Sequence, residues 1–220
     1  MKITLDLLRA KGACAEGLAW FEAHLGIEAD YQAALELAVS TEHVDWARWA
    51  LNAIGGTRDV LDIDGATETR AHIVAAGSLR IHGTLKVSGC VLAGSGIEAG
   101  SGIEAGSGIK AGEGIEAGWG IKAGSGIKAG EGIEAGWGIN AGSGIKAGEG
   151  IKAGSGIEAG LSIRCRASLS AHLRIFAGIV SHRLPSPAEQ EIVAQSVSGT
   201  VALGTVRILT EGTSDPGAKA

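Results

Sequence analysis

From Gly94 to Gly160 the apolar positions keep a fixed six-residue beat, Gly-Ile-x-Ala-Gly-y, without one insertion or deletion. Isoleucine recurs at every sixth residue from Ile97 to Ile157, and alanine follows two places after each. Apolar residues at i and i+2 with a polar one between them predict a short strand with one buried face. Two glycines in every six residues exclude a helix, since each costs roughly 0.8–1 kcal/mol relative to alanine. They are expected to supply the bends by entering backbone with φ > 0. A flexible glycine-rich linker has no reason to hold isoleucine in phase. Self-similarity at a fixed period instead marks a solenoid.

A longer period lies over the first. At position y, Glu113, Glu131 and Glu149 are spaced by 18, as are Trp119 and Trp137, and Ser107, Ser125 and Ser143. At position x the same interval separates Lys110, Lys128, Lys146 and Arg164. Three hexads per coil predict a mainly β fold, a three-sided β-helix in which equivalent residues stack in columns. The i, i+2 register extends upstream through Val91/Ala93, Leu85/Val87, Leu79/Ile81, Ile73/Ala75 and Leu61/Ile63, with Thr67/Thr69 as a weak rung. Downstream it continues through Ile163/Cys165, Leu169/Ala171 and Ile175/Ala177, for 20 rungs in all. At ~4.8 Å per coil, six to seven coils make a rod roughly 30 Å long.

The flanks break the beat, which divides the chain into a helical N-terminal domain (1–56), the solenoid (57–180), a C-terminal cap (181–210) and a disordered tail (211–220). Four short helices are predicted: from a Thr4 cap to Lys11, from Ala15 to Leu25, from an Asp30 cap, and from Thr41 to Ile54. Trp20, Trp46 and Trp49 read as core or as packing against the first coil, with a partner-binding groove as the alternative. So small a domain has a marginal core and is expected to dock on the solenoid, whose open ends need caps. Ser186-Pro187-Ala188-Glu189 is a capping box with proline at the first helical position, predicting a helix to about Ser196. Val197, Val201, Leu203, Val206 and Ile208 then alternate like one or two strands, which would pair with the last coil, form a separate sheet or exchange between protomers.

Composition narrows the function. The chain has 220 residues with 37 glycines and 3 prolines, which fits a solenoid rather than collagen or a disordered segment. A net charge of −5 argues against nucleic-acid binding, which usually needs a basic face. Cys14, Cys90 and Cys165 have no paired spacing, so a reducing, cytoplasmic setting is expected. No run of apolar residues is long enough for a membrane span, and no signal peptide is read. Serines lack a histidine and aspartate in matching phase, and His72, His82, His172 and His182 read as solvated surface groups. No catalytic, cofactor or metal site is therefore expected. The Gly-x-Gly strings lack the strand–turn–helix context of a dinucleotide site.

Binding candidates are the columns. Trp119 and Trp137 present two large aromatics on a polar rod, and tryptophan is favoured at binding hot spots. The Glu113, Glu131, Glu149 and Lys110, Lys128, Lys146 columns are expected to neutralise one another around a corner, each pair contributing ~0–1 kcal/mol. The interleaved lysines also argue against an acidic DNA mimic.

The segment Gly77-Ser-Leu-Arg-Ile-His-Gly-Thr-Leu-Lys-Val-Ser-Gly89 resembles bactofilins, bacterial polymer-forming cytoskeletal proteins, over the solenoid alone. The resemblance implies a three-sided β-helix and self-association, although bactofilins have tails where this chain has helices. Hexapeptide acyltransferases also build 18-residue triangular coils, but their inward small residue would be y here, where Glu and Trp do not fit. Lys11-Gly12-Ala13-Cys14 and Asp45-Trp46-Ala47 are similar to a module joined to varied repeats in phage and bacterial proteins. A non-enzymatic scaffolding solenoid is expected, binding a protein partner or itself as a homo-oligomer, with a dimer through the C-terminal segment or a lateral face. A phage-type inhibitor blocking a host or defence complex is the alternative, and an acyltransferase comes third.

Overall fold

A computed structural model describes residues 1–69, 71–180 and 183–210. Residues 211–220 and His182, assigned above to a tail and to the surface, lie outside these.

The solenoid is a parallel, three-sided stack with an 18-residue repeat. Ile103 pairs with Ile121, Ile121 with Ile139 and Ile139 with Ile157, with no register slip. We number the faces in the order in which the chain meets them. The first begins at Val60–Ile63, the second at Thr67–Thr69 and the third at Ile73–Ala75. The third face holds eight strands, so the rod has eight coils, roughly 38 Å at ~4.8 Å each. Sheet pairing therefore runs past the 20 rungs read from the periodicity. The ten-residue strand Ser168–Ala177 turns the corner between the first two faces unbroken and joins them into one sheet.

The predicted helix from Pro187 to Ser196 does not form. A single 3-10 turn, Pro187–Gln190, ends where the β-branched Ile192 and Val193 enter strand Glu191–Ala194. That strand pairs with the third face, Ile163 opposite Ile192. The capping box itself is present: Glu189 accepts from Ser186 N (2.8 Å) and binds Arg183 through both oxygens at 2.7 and 2.6 Å. The Arg183 guanidinium holds the Glu189 carboxyl down at about 2. Strands Ser196–Leu203 and Thr205–Ile208 then lie in parallel on the seventh coil and complete the eighth.

In the regular tract each coil contributes three isoleucines and three alanines to a dry axis, all of them almost fully buried. Large and small side chains alternate around the triangle and fill it, and each buried isoleucine contributes ~1.5–3 kcal/mol. Cys165 takes an alanine place on this axis, and burial pushes its thiol up to about 11.

The glycines act differently from the expectation. None from Gly94 to Gly160 has positive φ. A methyl group added to the glycine after each alanine would instead run into the backbone carbonyl of the coil before it, as Gly130 would into Gly112 O. The glycine preceding each isoleucine has more room, with Gly150 O 3.6 Å from a methyl built on Gly132. Close approach of stacked corners, not handed backbone, selects glycine here.

The helical domain comprises α1 (Leu5–Ala10), α2 (Ala15–Leu25), α3 (Tyr31–Ser40) and α4 (Val44–Ala53). Thr4 and Asp30 cap α1 and α3 as expected, accepting from Leu7 N (3.2 Å) and Ala33 N (3.1 Å). Thr41 does not start α4. Its hydroxyl turns back to Leu37 O (2.8 Å) and closes α3, and α4 begins without a side-chain cap.

The domain docks on the outside of the third face over the first two coils. There Val74, Ala76, Cys90 and Leu92 are buried in the helical core with Phe21, Tyr31 and Leu35. Gln32 also closes the open edge of this face. Its amide donates to Val74 O (2.9 Å), and Ala76 N donates to its carbonyl (2.7 Å), as a neighbouring strand would.

Candidate interaction surfaces

Outward residues form one column per face and one per corner. On the third face, Val74 and Leu92 lie beneath the helices, followed by Lys110, Lys128, Lys146 and Arg164 in strand register. Leaving water lowers the Lys110 pKa, and Lys128 and Arg48 beside it lower it further. Lys110 bonds to Asn52 of α4.

On the first face the column runs Asp62, Arg80, Glu98, Glu116, Glu134, Lys152. The corner leading into this face carries Glu113, Glu131 and Glu149, linked by backbone bonds of 3.3 and 3.2 Å between successive coils. Five of these carboxylates, Glu98, Glu113, Glu116, Glu131 and Glu134, flank a groove of about 490 Å³ floored by Gly96, Gly114, Gly132 and Gly150. Arg80 meets Glu98 (3.3 Å) and Lys152 meets Glu134 (2.5 Å), one at each end of the three glutamates.

The ion pairs described on the faces therefore run along columns rather than around corners. On the second face Lys86 pairs with Glu68 (3.3 Å) and Lys122 with Glu104 (3.1 Å), while Asn140 bonds to Glu158 (3.1 Å). The acidic and basic columns occupy different faces. The lysines consequently do not break up the negative strip, contrary to the argument that set aside an acidic mimic.

Trp119 and Trp137 lie on the corner between the first and second faces, 63% and 68% exposed. Their rings stack with centroids 6.2 Å apart and planes 21° from parallel. Backbone bonds place Ser101 before Trp119, then Trp137 and Ser155 after it, and Leu173 beyond. Both ends of the indole pair thus adjoin a small residue. Trp119 and Leu173 border a groove on the second face whose floor includes Ile121, Gly138 and Ile139.

Trp20, Trp46 and Trp49 are half-buried in the helical domain. Trp20 stacks on His24 (4.9 Å) and meets Trp46 edge-on (5.6 Å), while His43 stacks on Trp46 (4.0 Å). The three tryptophans rim an apolar cavity of about 270 Å³ between the helices, also lined by Leu8, Phe21 and Leu35.

Of the histidines, His72 is not a free surface group: its Nδ1 accepts from Cys90 N (2.9 Å). His82 Nε2 lies 2.8 Å from Asp62 Oδ1, and with Asp64 these bring possible ligand atoms within 4.8 Å of one another, all exposed. Sequence reasoning missed this trio because Asp62 and His82 meet only through the pairing of coils. It also missed the docking face, which carried a legible signal. Ile73-Val-Ala75 and Val91-Leu-Ala93 are apolar at all three strand positions, where the regular tract places a polar residue at x.

Among the described residues no helix is long and apolar enough to cross a membrane. The chain matches no protein-family model, no curated protein and no solved structure.

Proposed function

We propose that the chain is a non-enzymatic scaffolding rod, working in the cytoplasm, which binds a protein partner or a further copy of itself through its outer corners. The observation that carries this reading is the exposed Trp119–Trp137 pair. Two large indoles on a corner that also carries the exposed Leu173 leave apolar area in water that a partner would cover, and tryptophan dominates binding hot spots. The bactofilin-like coil pattern supports a structural role, and columns of charge held in strict register supply a surface of fixed spacing. Replacing both tryptophans with serine is expected to leave folding within about 0.5 kcal/mol, because both rings are exposed. Partner capture or lateral self-association should fall at least ~30-fold, the equivalent of a hot spot of about 2 kcal/mol. Equal partner pull-down and equal lateral association by the wild type and Trp119→Ser/Trp137→Ser would refute it.

A second reading is a phage-type inhibitor of a host or defence complex, and the five-glutamate groove of the first face favours it. Such a strip competes for a basic cleft, and its binding would weaken steeply with salt.

A further inference from the structure

We propose that the C-terminal end of the rod is a self-complementary interface that joins two copies tail to tail. This rests on the self-associating form of the function above and adds to its lateral corners a second, end-on surface.

The inward columns lose their cover at the last coil. Leu169, Ile175 and Ile192 of the seventh coil are fully buried, whereas Val197 and Val201 beneath the first two are only half so. Val206 and Ile208, aligned under Ile192 and Ala194, are 40% and 52% exposed. Strands Ser196–Leu203 and Thr205–Ile208 also end the sheets, and among the described residues no strand follows them. An open strand edge over an exposed apolar core is a template for another chain.

The two ends of the rod are built differently. At the N-terminal end, Asp59, Asp62, Asp64 and Glu68 crowd the first strands, and Gln32 occupies the edge of the third face. Charged edge residues and a covering element are the usual protections against edge pairing. Among the described residues the terminal coil has neither. Arg207 is the single charged residue from Ser196 to Ile208, and Glu191 holds it at 2.7 Å. Apart from Arg207, which Glu191 neutralises, outward positions there are uncharged, as at Ser198 and Thr205.

The occupant is a second copy. Residues 211–220, Glu-Gly-Thr-Ser-Asp-Pro-Gly-Ala-Lys-Ala, contain no valine, leucine, isoleucine or aromatic residue with which to cover the exposed valines. A two-fold axis across the rod brings two identical ends together with their edge strands antiparallel, and that arrangement closes after two copies. Head-to-tail stacking would meet the Gln32-sealed edge and the acidic first strands. The contact is small, so a dissociation constant on the order of micromolar is expected.

Sedimentation equilibrium of the full chain from about 1 to about 200 µM, bracketing that affinity, tests the proposal. A monomer–dimer equilibrium is expected. Val206→Lys/Ile208→Lys should weaken it at least ~10-fold through like charge on the shared edge, with circular dichroism unchanged. Trp119→Ser/Trp137→Ser should leave the dimer intact. A Ser198→Cys chain in a Cys14→Ser background should form an intermolecular disulfide on mild oxidation, whereas Asp62→Cys should not. This second readout holds even if the lysine variant fails to fold. A monomer throughout, an open-ended series of oligomers, or cross-linking through position 62 but not 198 would overturn the proposal. A dimer lost with the tryptophans but kept with the lysines would also overturn it, while leaving the lateral-corner reading standing.

Discussion

Gly130→Ala is expected to destabilise the rod by about 3 kcal/mol or more, while Gly132→Ala, two residues away, is neutral or stabilising by up to ~1 kcal/mol. The two glycines flank Glu131 at one corner, and neither has positive φ. A methyl at 130 would collide with the carbonyl of Gly112 in the preceding coil, and backbone on both sides leaves no side chain to yield. A methyl at 132 meets Gly150 O at 3.6 Å, ordinary contact, and removes conformational freedom from the unfolded chain. Urea midpoints of the two variants, read against the wild type, separate them. Equal losses at both sites would mean that glycine is selected for backbone freedom after all.

Ile133→Asp should unfold the solenoid or cost more than ~4 kcal/mol, because it places an unpaired carboxylate on a dry axis. Ile133 is 1% exposed, between Ile115 and Ile151 in its column. Burial would raise the folded-state pKa of the new aspartate above its unfolded value. Such a group is tolerated while protonated and loses stability as pH rises through the raised pKa. The melting temperature of the variant should therefore lie closer to that of the wild type at about pH 4 than at pH 7. A gap that does not change with pH, or a small loss at both, would place residue 133 in contact with water.

The solenoid was legible because its two periods are written in the sequence without interruption: six residues for a strand and its bend, 18 for a coil. Past Gly178, where the beat stops, the reading was mixed: the strands around 197–208 form and pair with the last coil, and the helix from Pro187 does not. The last rung before the break, Ile175/Ala177, resumes as Ile192/Ala194 on the next face after an excursion through residues 178–190. The capping box at Ser186 is a true local signal, but it opens a single turn. Local chemistry starts a helix, while the free edge of the sixth coil pairs Ile192 and Val193 into the sheet.

The reason for the glycines lay out of reach of local reasoning, since the carbonyl that excludes a methyl belongs to a residue 18 positions earlier. For the columns, the sequence revealed which residues stack but not which face carries each sign. The Lys110 and Glu113 columns are close in sequence, yet a corner separates them and the described ion pairs run along the rod instead. The Trp119–Trp137 stack was readable from spacing alone, and its exposure follows from y being a corner.

The stacking interval is tested most directly by engineered disulfides in a Cys14→Ser background. Glu116 and Glu134 are outward partners in adjacent strands of the first face, at a separation typical of neighbouring strands and within the ~4.4–6.8 Å that a disulfide spans. Glu116→Cys/Glu134→Cys should oxidise to an intramolecular bridge in dilute solution, and Glu116→Cys/Lys128→Cys, 12 residues apart and on different faces, should not. A bridge at 12 and none at 18 would contradict the three-sided coil on which every surface described above depends.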